Sequence, residues 1–394
     1  MSDLITIDEA RERVLSAVTR LGDEPVPLRQ ALGRVLAEEV SSTLPVPPFD
    51  SSAMDGFAVV AGPAAELSVV GEARAGHPYS GRVEAGSAVR ISTGAVVPDG
   101  ADAVVPVERT TSVNEEVSVP ESAPGDNVRR AGEDIPLNAV VLRAGIQLGP
   151  AELGVAASVG RAELECAKKP RVAVLVTGDE LTEPGTALGP GAIYSSNAYA
   201  LGAQVELAGG DVVQRVTVPD DAEGTRRALE EALGADVVIV SGGVSVGPHD
   251  HVKPALRDLG AEERFWGVSL RPGKPTWFGV RGYTLAFGLP GNPVSAMVTF
   301  QLFVRPALAA AQGRAPDAPR LIATLERPIE RNPHREQAVR VHLLPSQNGP
   351  MAAPTKDAQG SHVLTSMVGA DGLALIAPGE GEAPAGERVE VELL

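Results

Sequence analysis

Residues 236–253 read DVVIV-SGGVSVG-PHDHVK, and this stretch decides how the rest of the chain is organised. The apolar run Val237–Val240 is short and β-branched, the pattern of a buried strand. Ser241, Gly242 and Gly243 then break it, and Pro254-Ala-Leu carries the chain into a helix. Strand, glycine turn and helix in that order belong to an open α/β sheet. Ligands of such sheets sit beyond the carboxyl ends of the strands, where backbone N–H groups and a helix N-terminus favour an anion. Gly242, Gly243 and Gly247 would let a phosphate come close to the backbone, with the Ser241 and Ser245 hydroxyls beside it, and Asp250 is placed to hold a metal ion. Two familiar phosphate motifs do not fit. Gly242 and Gly247 have the outer spacing of a P-loop, but Pro248-His249 stands where Lys and Ser/Thr would be, and GGVSVG is not G-x-G-x-x-G. The same strand and turn also occur in α/β folds that bind nothing there, so this segment settles the fold before it settles a ligand.

Working outward, the flanking sequence repeats the pattern. RVAVLV after Pro170, VVQRVTV at 212–218 and DVVIV read as strands, separated by helices over Asn197–Leu207 and Ala222–Leu233. Right-handed crossovers make these strands parallel in a doubly wound α/β domain over 170–318. Pro293–Gln312 reads as a long apolar helix closed by Gly313-Arg-Ala-Pro316. On the N-terminal side, short apolar runs (FAVV, LSVV, AVRIS, ADAVVPV, VSV) separated by Gly, Pro, Asn and Asp mark a small β-barrel or sandwich over 41–126. Pro45, Pro47 and Pro48 stiffen the chain before it. Residues 1–40 and 127–169 form a mixed α/β linking domain. In it Thr6-Ile-Asp-Glu9 is a capping box for a first helix, Leu28–Val40 is a second helix-like segment, and Pro150-AELGVAASV is a further helix. Residues 319–394 return to short strands and turns, a second small β domain.

At 394 residues there is chain for about two to four domains. Forty-three glycines, 33 prolines and 3 % aromatics point to many turns and to cores of Val, Leu and Ala. A formal charge of −17 speaks against an extended nucleic-acid surface, so an anionic ligand must meet a local basic cluster. The single cysteine, Cys166, excludes an intramolecular disulfide framework and a thiolate metal cage, and reads as a small buried apolar residue. His249 and His251 have no further ligand at zinc spacing. The start MSDLITIDEARERV has no apolar signal region, and no stretch approaches a span of about 20 residues, so the expectation is a cytoplasmic protein without membrane contact.

Seven segments then fall into a known register. FDSSAMDGFAVV at 49–60, RISTGAVVPDGADAVV at 90–105, NVRRAGEDI at 127–135, VTGDEL at 176–181, SGGVSVGPHD at 241–250, RPGKP at 271–275 and GLPGNPVSA at 288–296 together resemble the bacterial molybdopterin molybdenumtransferase family, whose animal relative is the gephyrin E domain. QGSHVLTSM at 359–367 extends the likeness to the C-terminal region. Ser51, Phe57 and Arg271 stand where the family usually has Asn, Tyr and Lys, and Ala338 stands where an aromatic is usual between Arg335 and Arg340.

The resemblance implies molybdenum insertion: adenylylated molybdopterin and molybdate give molybdenum cofactor and AMP, with Mg²⁺ assisting. It implies a molybdate site from Arg271, Lys274, Ser295, Arg340 and Ser361, since a hard oxyanion takes cationic and hydroxyl donors. Asp250, Glu180 and Asp220 or Asp221 are the carboxylates it offers Mg²⁺, which prefers few carboxylates plus water and phosphate oxygens. Asp220 and Asp221 more simply cap the helix that follows. Pro290 and Pro293 flank a rigid turn at a helix start that holds N–H groups toward an oxyanion. Asp55, Thr93 and Asp102 are further expected to line the site, Asp55 and Thr93 as catalytic groups, while Glu133 and Asp134 are expected to pair with Arg129 and Arg130. A homodimer with a site completed between subunits is implied, with the molybdopterin adenylyltransferase as a partner. The nearest rival reading is that adenylyltransferase activity itself, which would not require the β domains. A gephyrin-like scaffold is the other, and it would call for an added linker and partner domain.

Overall fold

The computed structural model describes residues 4–244 and 250–394. The chain divides into two compact units. One comprises Met1–Glu24, Gly33–Ala37 and Cys166–Leu394, and the other Pro25–Leu32 and Glu38–Glu165.

The first unit is built on a six-stranded sheet. Its strands are β1 (Arg171–Thr177), β2 (Asp211–Val218), β3 (Val237–Ser241), β4 (Glu262–Trp266), β5 (Trp277–Arg281) and β6 (Thr284–Leu289), in the order β2-β1-β3-β6-β5-β4. The first four positions in that order are parallel, and β5 and β4 add an antiparallel edge. Every residue of β3 is buried. Side chains alternate across a strand, so its two faces feed two cores. Val172, Val174, Val237 and Ile239 enter one cluster with α1 (Ile7–Leu15), α2 (Ser196–Leu207) and the long C-terminal helix, while Ala173, Leu175, Val238 and Val240 enter the other with α3 (Ala222–Ala232) and α4 (Val252–Asp258). Each fully buried Val, Leu or Ile contributes about 1.5–3 kcal/mol, so the two apolar faces hold β3 at the centre far more firmly than any surface pair does.

The long helix is α5 (Pro293–Thr299), a π-helical stretch Phe300–Val304, and α6 (Arg305–Ala311). Its 19 residues have the length and apolarity of a membrane span, contrary to the expectation that no stretch approaches one. Yet 83 % of the tested window is buried, the position of a core helix. The C-terminal strands β7 (Arg320–Leu325), β8 (Glu336–Leu344), β9 (Met351–Pro354), β10 (Gly372–Ile376) and β11 (Arg388–Leu393) close on themselves in the ring β8-β9-β7-β11-β10-β8. Closure removes open edges from this small barrel.

The second unit carries a six-stranded sheet in the order Ala103–Pro106, Gly56–Val59, Ser87–Ile91, Ala65–Ala73, Glu116–Val119, Thr111–Val113. Its strands coincide with the apolar runs read from sequence. The helix expected over Leu28–Val40 is absent: only Leu28–Gln30 makes a 3₁₀ turn, and Gly33 at φ +75° turns the chain out of helical geometry. Thr6 caps α1 as its sequence promised, its hydroxyl accepting from the Glu9 N–H at 3.1 Å.

Candidate functional site

Two neighbouring cavities of opposite lining charge lie at the carboxyl ends of the central parallel strands. The first is a cleft of about 720 Å³. It is bounded by Val176–Gly178 after β1, Ser241–Val244 after β3 and Pro290–Pro293 after β6, and it also receives Glu180, Asp220 and Asp250. From β1 the chain moves outward to β2 and then returns to the other side of β1 to form β3, so the cleft lies at the reversal of strand order where open α/β sheets bind ligands.

Hydrogen bonds lock the strand ends together. The Asn197 amide Nδ2 donates to Ser241 Oγ at 2.9 Å and to the Gly291 carbonyl at 2.7 Å, and Ser241 Oγ donates to the Pro290 carbonyl at 3.0 Å. Gly242 and Gly243 have φ of +100° and +63°, the left-handed region that disfavours a side chain. A Cβ on Gly242 would stand 2.6 Å from Thr177 Oγ1, and one on Gly243 would stand 2.8 Å from Val252 Cγ2. Glycine is thus required here by both backbone and space. Ser245, Gly247 and His249, named from the sequence, lie outside the described residues.

The second cavity, of about 360 Å³, is lined by Arg271, Lys274 and Arg335 together with Ser295 and Ser361, and among the described residues no carboxylate lines it. Asn292 connects its walls: Nδ2 donates to Ser361 Oγ at 3.0 Å, and the next turn is fixed by the Val294 N–H donating to the Ser361 carbonyl at 3.1 Å. Pro275, Asn292 and His362 line both cavities. α5 opens at Pro293 on this boundary, with Asn292 as its first flanking residue. Proline at the first helical position leaves the neighbouring amides facing outward, which suits an anion.

Three carboxylates therefore face the cleft, and three cations face its neighbour. Among the described residues no group of three or more His, Cys, Asp or Glu side chains is close enough together to hold a metal by itself. That arrangement fits Mg²⁺ bound through one or two carboxylates and phosphate oxygens, and it does not fit an all-protein cage. Near Asp250, the Lys253 ammonium lies 4.5 Å from the centre of the Trp266 ring, and burial lowers its pKa against the opposing pull of Asp250 and Glu263. The Trp266 indole N–H also donates to the Val244 carbonyl at 3.1 Å, which ties the ring to one residue of the cleft wall.

Some expected residues are placed elsewhere. Asp221 does not line the cleft: its carboxylate caps α3, accepting from the Gly224 N–H at 2.7 Å, which corrects its assignment as a metal ligand. Arg340 lines neither cavity. On β8 it shares a face with Ala338, which packs toward the helix core, whereas Val339 and Val341 fill the barrel. It is 1 % exposed, Nε donates to Ser366 Oγ and Nη1 to the Ala338 carbonyl, both at 3.1 Å, and Nη2 has no partner. Burial without a counter-charge brings its pKa down to about 10. This buried guanidinium therefore stands outside the cavity lined by Arg271, Lys274, Ser295 and Ser361, with which it was expected to act.

Asp55 and Thr93 are in the second unit and are bonded to each other. The Asp55 carboxylate accepts from the Thr93 N–H at 2.6 Å and from its hydroxyl at 3.0 Å, which lowers its pKa. Asp102 accepts from the Ala61 N–H at 2.7 Å and shapes a loop. The expected pairing of Glu133 with Arg130 is a backbone contact, Arg130 N–H to Glu133 at 2.9 Å, and the guanidinium instead meets Asp50 at 2.6 Å. Cys166 is buried. Asn197, Thr177 and His362 were given no role from the sequence, and Asn292 entered only through the turn between Pro290 and Pro293. Asn197 left one local signal, an amide at the polar start of an otherwise apolar helix.

Comparisons with known proteins bear on the whole chain. Residues 5–160 match the family description "MoeA N-terminal region (domain I and II)", residues 173–310 match "Probable molybdopterin binding domain", and residues 323–394 match "MoeA C-terminal region (domain IV)". The molybdopterin molybdenumtransferase of Haemophilus influenzae is 37 % identical over 99 % of this chain and 98 % of its own. Molybdopterin molybdenumtransferase 2 of Mycobacterium tuberculosis is 39 % identical over 93 % and 94 %. A crystal structure of the molybdopterin biosynthesis MoeA protein from Pyrococcus horikoshii superposes with a TM-score of 0.82 at 34 % identity, covering 99 % of both chains. With relatives of this identity aligned along nearly its full length, the chain belongs to the molybdopterin molybdenumtransferase family.

Proposed function

We propose that this protein is a molybdenum transferase that converts adenylylated molybdopterin and molybdate into molybdenum cofactor and AMP, the last step of cofactor assembly. The observation that carries the reading is the pair of adjoining cavities with segregated charge, joined at Pro275, Asn292 and His362. A phosphoanhydride needs positioning and charge neutralisation, and the cleft offers glycine backbone at the strand ends with Glu180, Asp220 and Asp250 around it. Mg²⁺ held by those carboxylates would neutralise phosphate charge. Molybdate needs cations and hydroxyls, and the second cavity offers Arg271, Lys274, Arg335, Ser295 and Ser361. Sulfur ligands come from the dithiolene of the substrate, so a chain whose one cysteine is buried meets the requirement. An adenylyltransferase reading accounts for the cleft but gives the basic cavity no task.

The test is to incubate the protein with adenylylated molybdopterin and Mg²⁺ and to follow AMP with and without molybdate. AMP release that requires molybdate is expected, and molybdate-independent adenylylation of molybdopterin from ATP would move the assignment to the rival activity. The reading includes a homodimer as the working form. Sedimentation of a fully active monomer of 40.6 kDa would exclude it.

A further inference from the structure

Insertion moves protons as well as molybdenum. Joining a dithiol to molybdate, R(SH)₂ + MoO₄²⁻ → [RS₂MoO₃]²⁻ + H₂O, breaks two S–H bonds and one Mo–O bond and forms two Mo–S bonds. Both protons leave on the departing oxygen, and molybdenum keeps its oxidation state. The transfer calls for a group standing between the pterin and oxyanion compartments that both takes and gives a proton near neutral pH, which is what imidazole does.

Among the described residues three line both cavities: Pro275 and Asn292 have no titrating group, and the third is His362. The carboxylates Glu180, Asp220 and Asp250 line only the cleft, and the cations Arg271, Lys274 and Arg335 line only the neighbouring cavity. The ring of His362, itself exposed, packs against Gly360. A Cβ built on Gly360 would stand 2.9 Å from its Cε1 and 3.2 Å from its Nδ1, so the imidazole lies directly on the bare backbone of Gly360. The His362 carbonyl accepts from the Leu364 N–H at 3.0 Å, and the preceding Ser361 is fixed by Asn292. We propose that His362 carries the protons of the insertion step one after the other, taking each from a substrate thiol and delivering it to the oxygen that leaves molybdenum as water. This rests on the transferase reading above and adds a residue to it.

Two variants test the proposal. His362→Gln removes the proton carrier, and Gly360→Ala keeps the imidazole but pushes it from its seat. Single-turnover rates are measured at saturating molybdate from pH 6 to 9, and the affinity for molybdate alone is measured by calorimetry. His362→Gln is expected to lower the plateau rate by about a hundredfold or more, within the range of general acid–base catalysis, and to flatten the pH dependence. Its affinity for molybdate should stay within about threefold of the unaltered protein, less than half a tenfold step in free energy. Added imidazole should restore part of its rate, which a misfolded protein would not allow. Gly360→Ala should lose rate as well, without rescue by imidazole. A full-rate His362→Gln protein overturns the proposal alone. A loss of molybdate affinity as large as the loss of rate overturns it too, since His362 would then be an anion ligand. Failure of the unaltered protein to respond to molybdate overturns the transferase reading and this proposal together.

Discussion

Replacing Lys274 by alanine takes one of three cations from the cavity shared by Arg271 and Arg335. Two magnitudes compete for the size of the effect. A bare Coulomb estimate at an effective dielectric of ~20 gives about 4 kcal/mol per unit charge pair at a separation near 4 Å. Lys274 is exposed, however, and two cations remain, so solvent and neighbours screen the loss. The figure for a single charge-assisted hydrogen bond, about 1.5–3 kcal/mol, is the better guide. It corresponds to roughly a tenfold to hundredfold rise in the molybdate concentration at half-saturation. Molybdate can be supplied in excess, so the plateau rate should survive. Asp250→Ala should behave in the opposite way, because on the proposed reading it alters the cleft that holds the phosphoanhydride and no excess of molybdate replaces a carboxylate. The assay follows AMP release while molybdate runs from micromolar to tens of millimolar, with sulfate at equal ionic strength as control. Ser361→Ala should resemble Lys274→Ala. An unchanged half-saturation with a lowered plateau in Lys274→Ala would refute ground-state binding by that residue. Equal rescue by sulfate would refute the oxyanion site altogether.

Asn197→Ala should lower thermal stability by about 1–3 kcal/mol, since it removes the donor shared by Ser241 and the Gly291 carbonyl, and should raise KM for the pterin substrate as the strand ends loosen; melting and steady-state kinetics measure the two effects. Glu336→Gln tests a carboxylate whose pKa is raised chiefly by burial. The folded state holds that proton more tightly than the unfolded chain, so stability falls as pH rises from the ordinary glutamate range through the raised value. The glutamine variant should be the more stable at neutral pH and lose its advantage below that window, and parallel melting curves at all pH values would contradict this.

The fold was legible in the sequence where one physical signal dominated. β3 has both faces buried, so its apolar run needed no partner to be read, and the glycines after it mark positions that a Cβ cannot occupy. The Leu28–Val40 segment misled because helical periodicity outweighed Gly33, whose positive φ ends the possibility of a helix. Barrel closure was not legible either, since it depends on pairing β7 with β11, which joins Arg320 to Glu392 across the whole C-terminal segment.

At the site, residue type gave chemistry but not direction. Arg340 and Lys274 are both cations in segments that resemble the family, yet strand alternation turns Arg340 toward the helix core while Lys274 stays on the cavity wall. Asp220 and Asp221 show the same effect within one dipeptide: the second is committed to capping α3, and the first faces the cleft. The side-chain roles of Asn292, read only as part of a turn, and of His362 were missed for a different reason. Each acquires its meaning only where two cavities meet, and that boundary is assembled from the turn before α5 and the loop after β9, which lie some distance apart in the chain. With a net charge of −17, the protein must gather its few useful cations locally if it is to hold a dianion. Among the described residues Arg271, Lys274 and Arg335 do so on a wall without carboxylates, while Glu180, Asp220 and Asp250 line the cleft next to it.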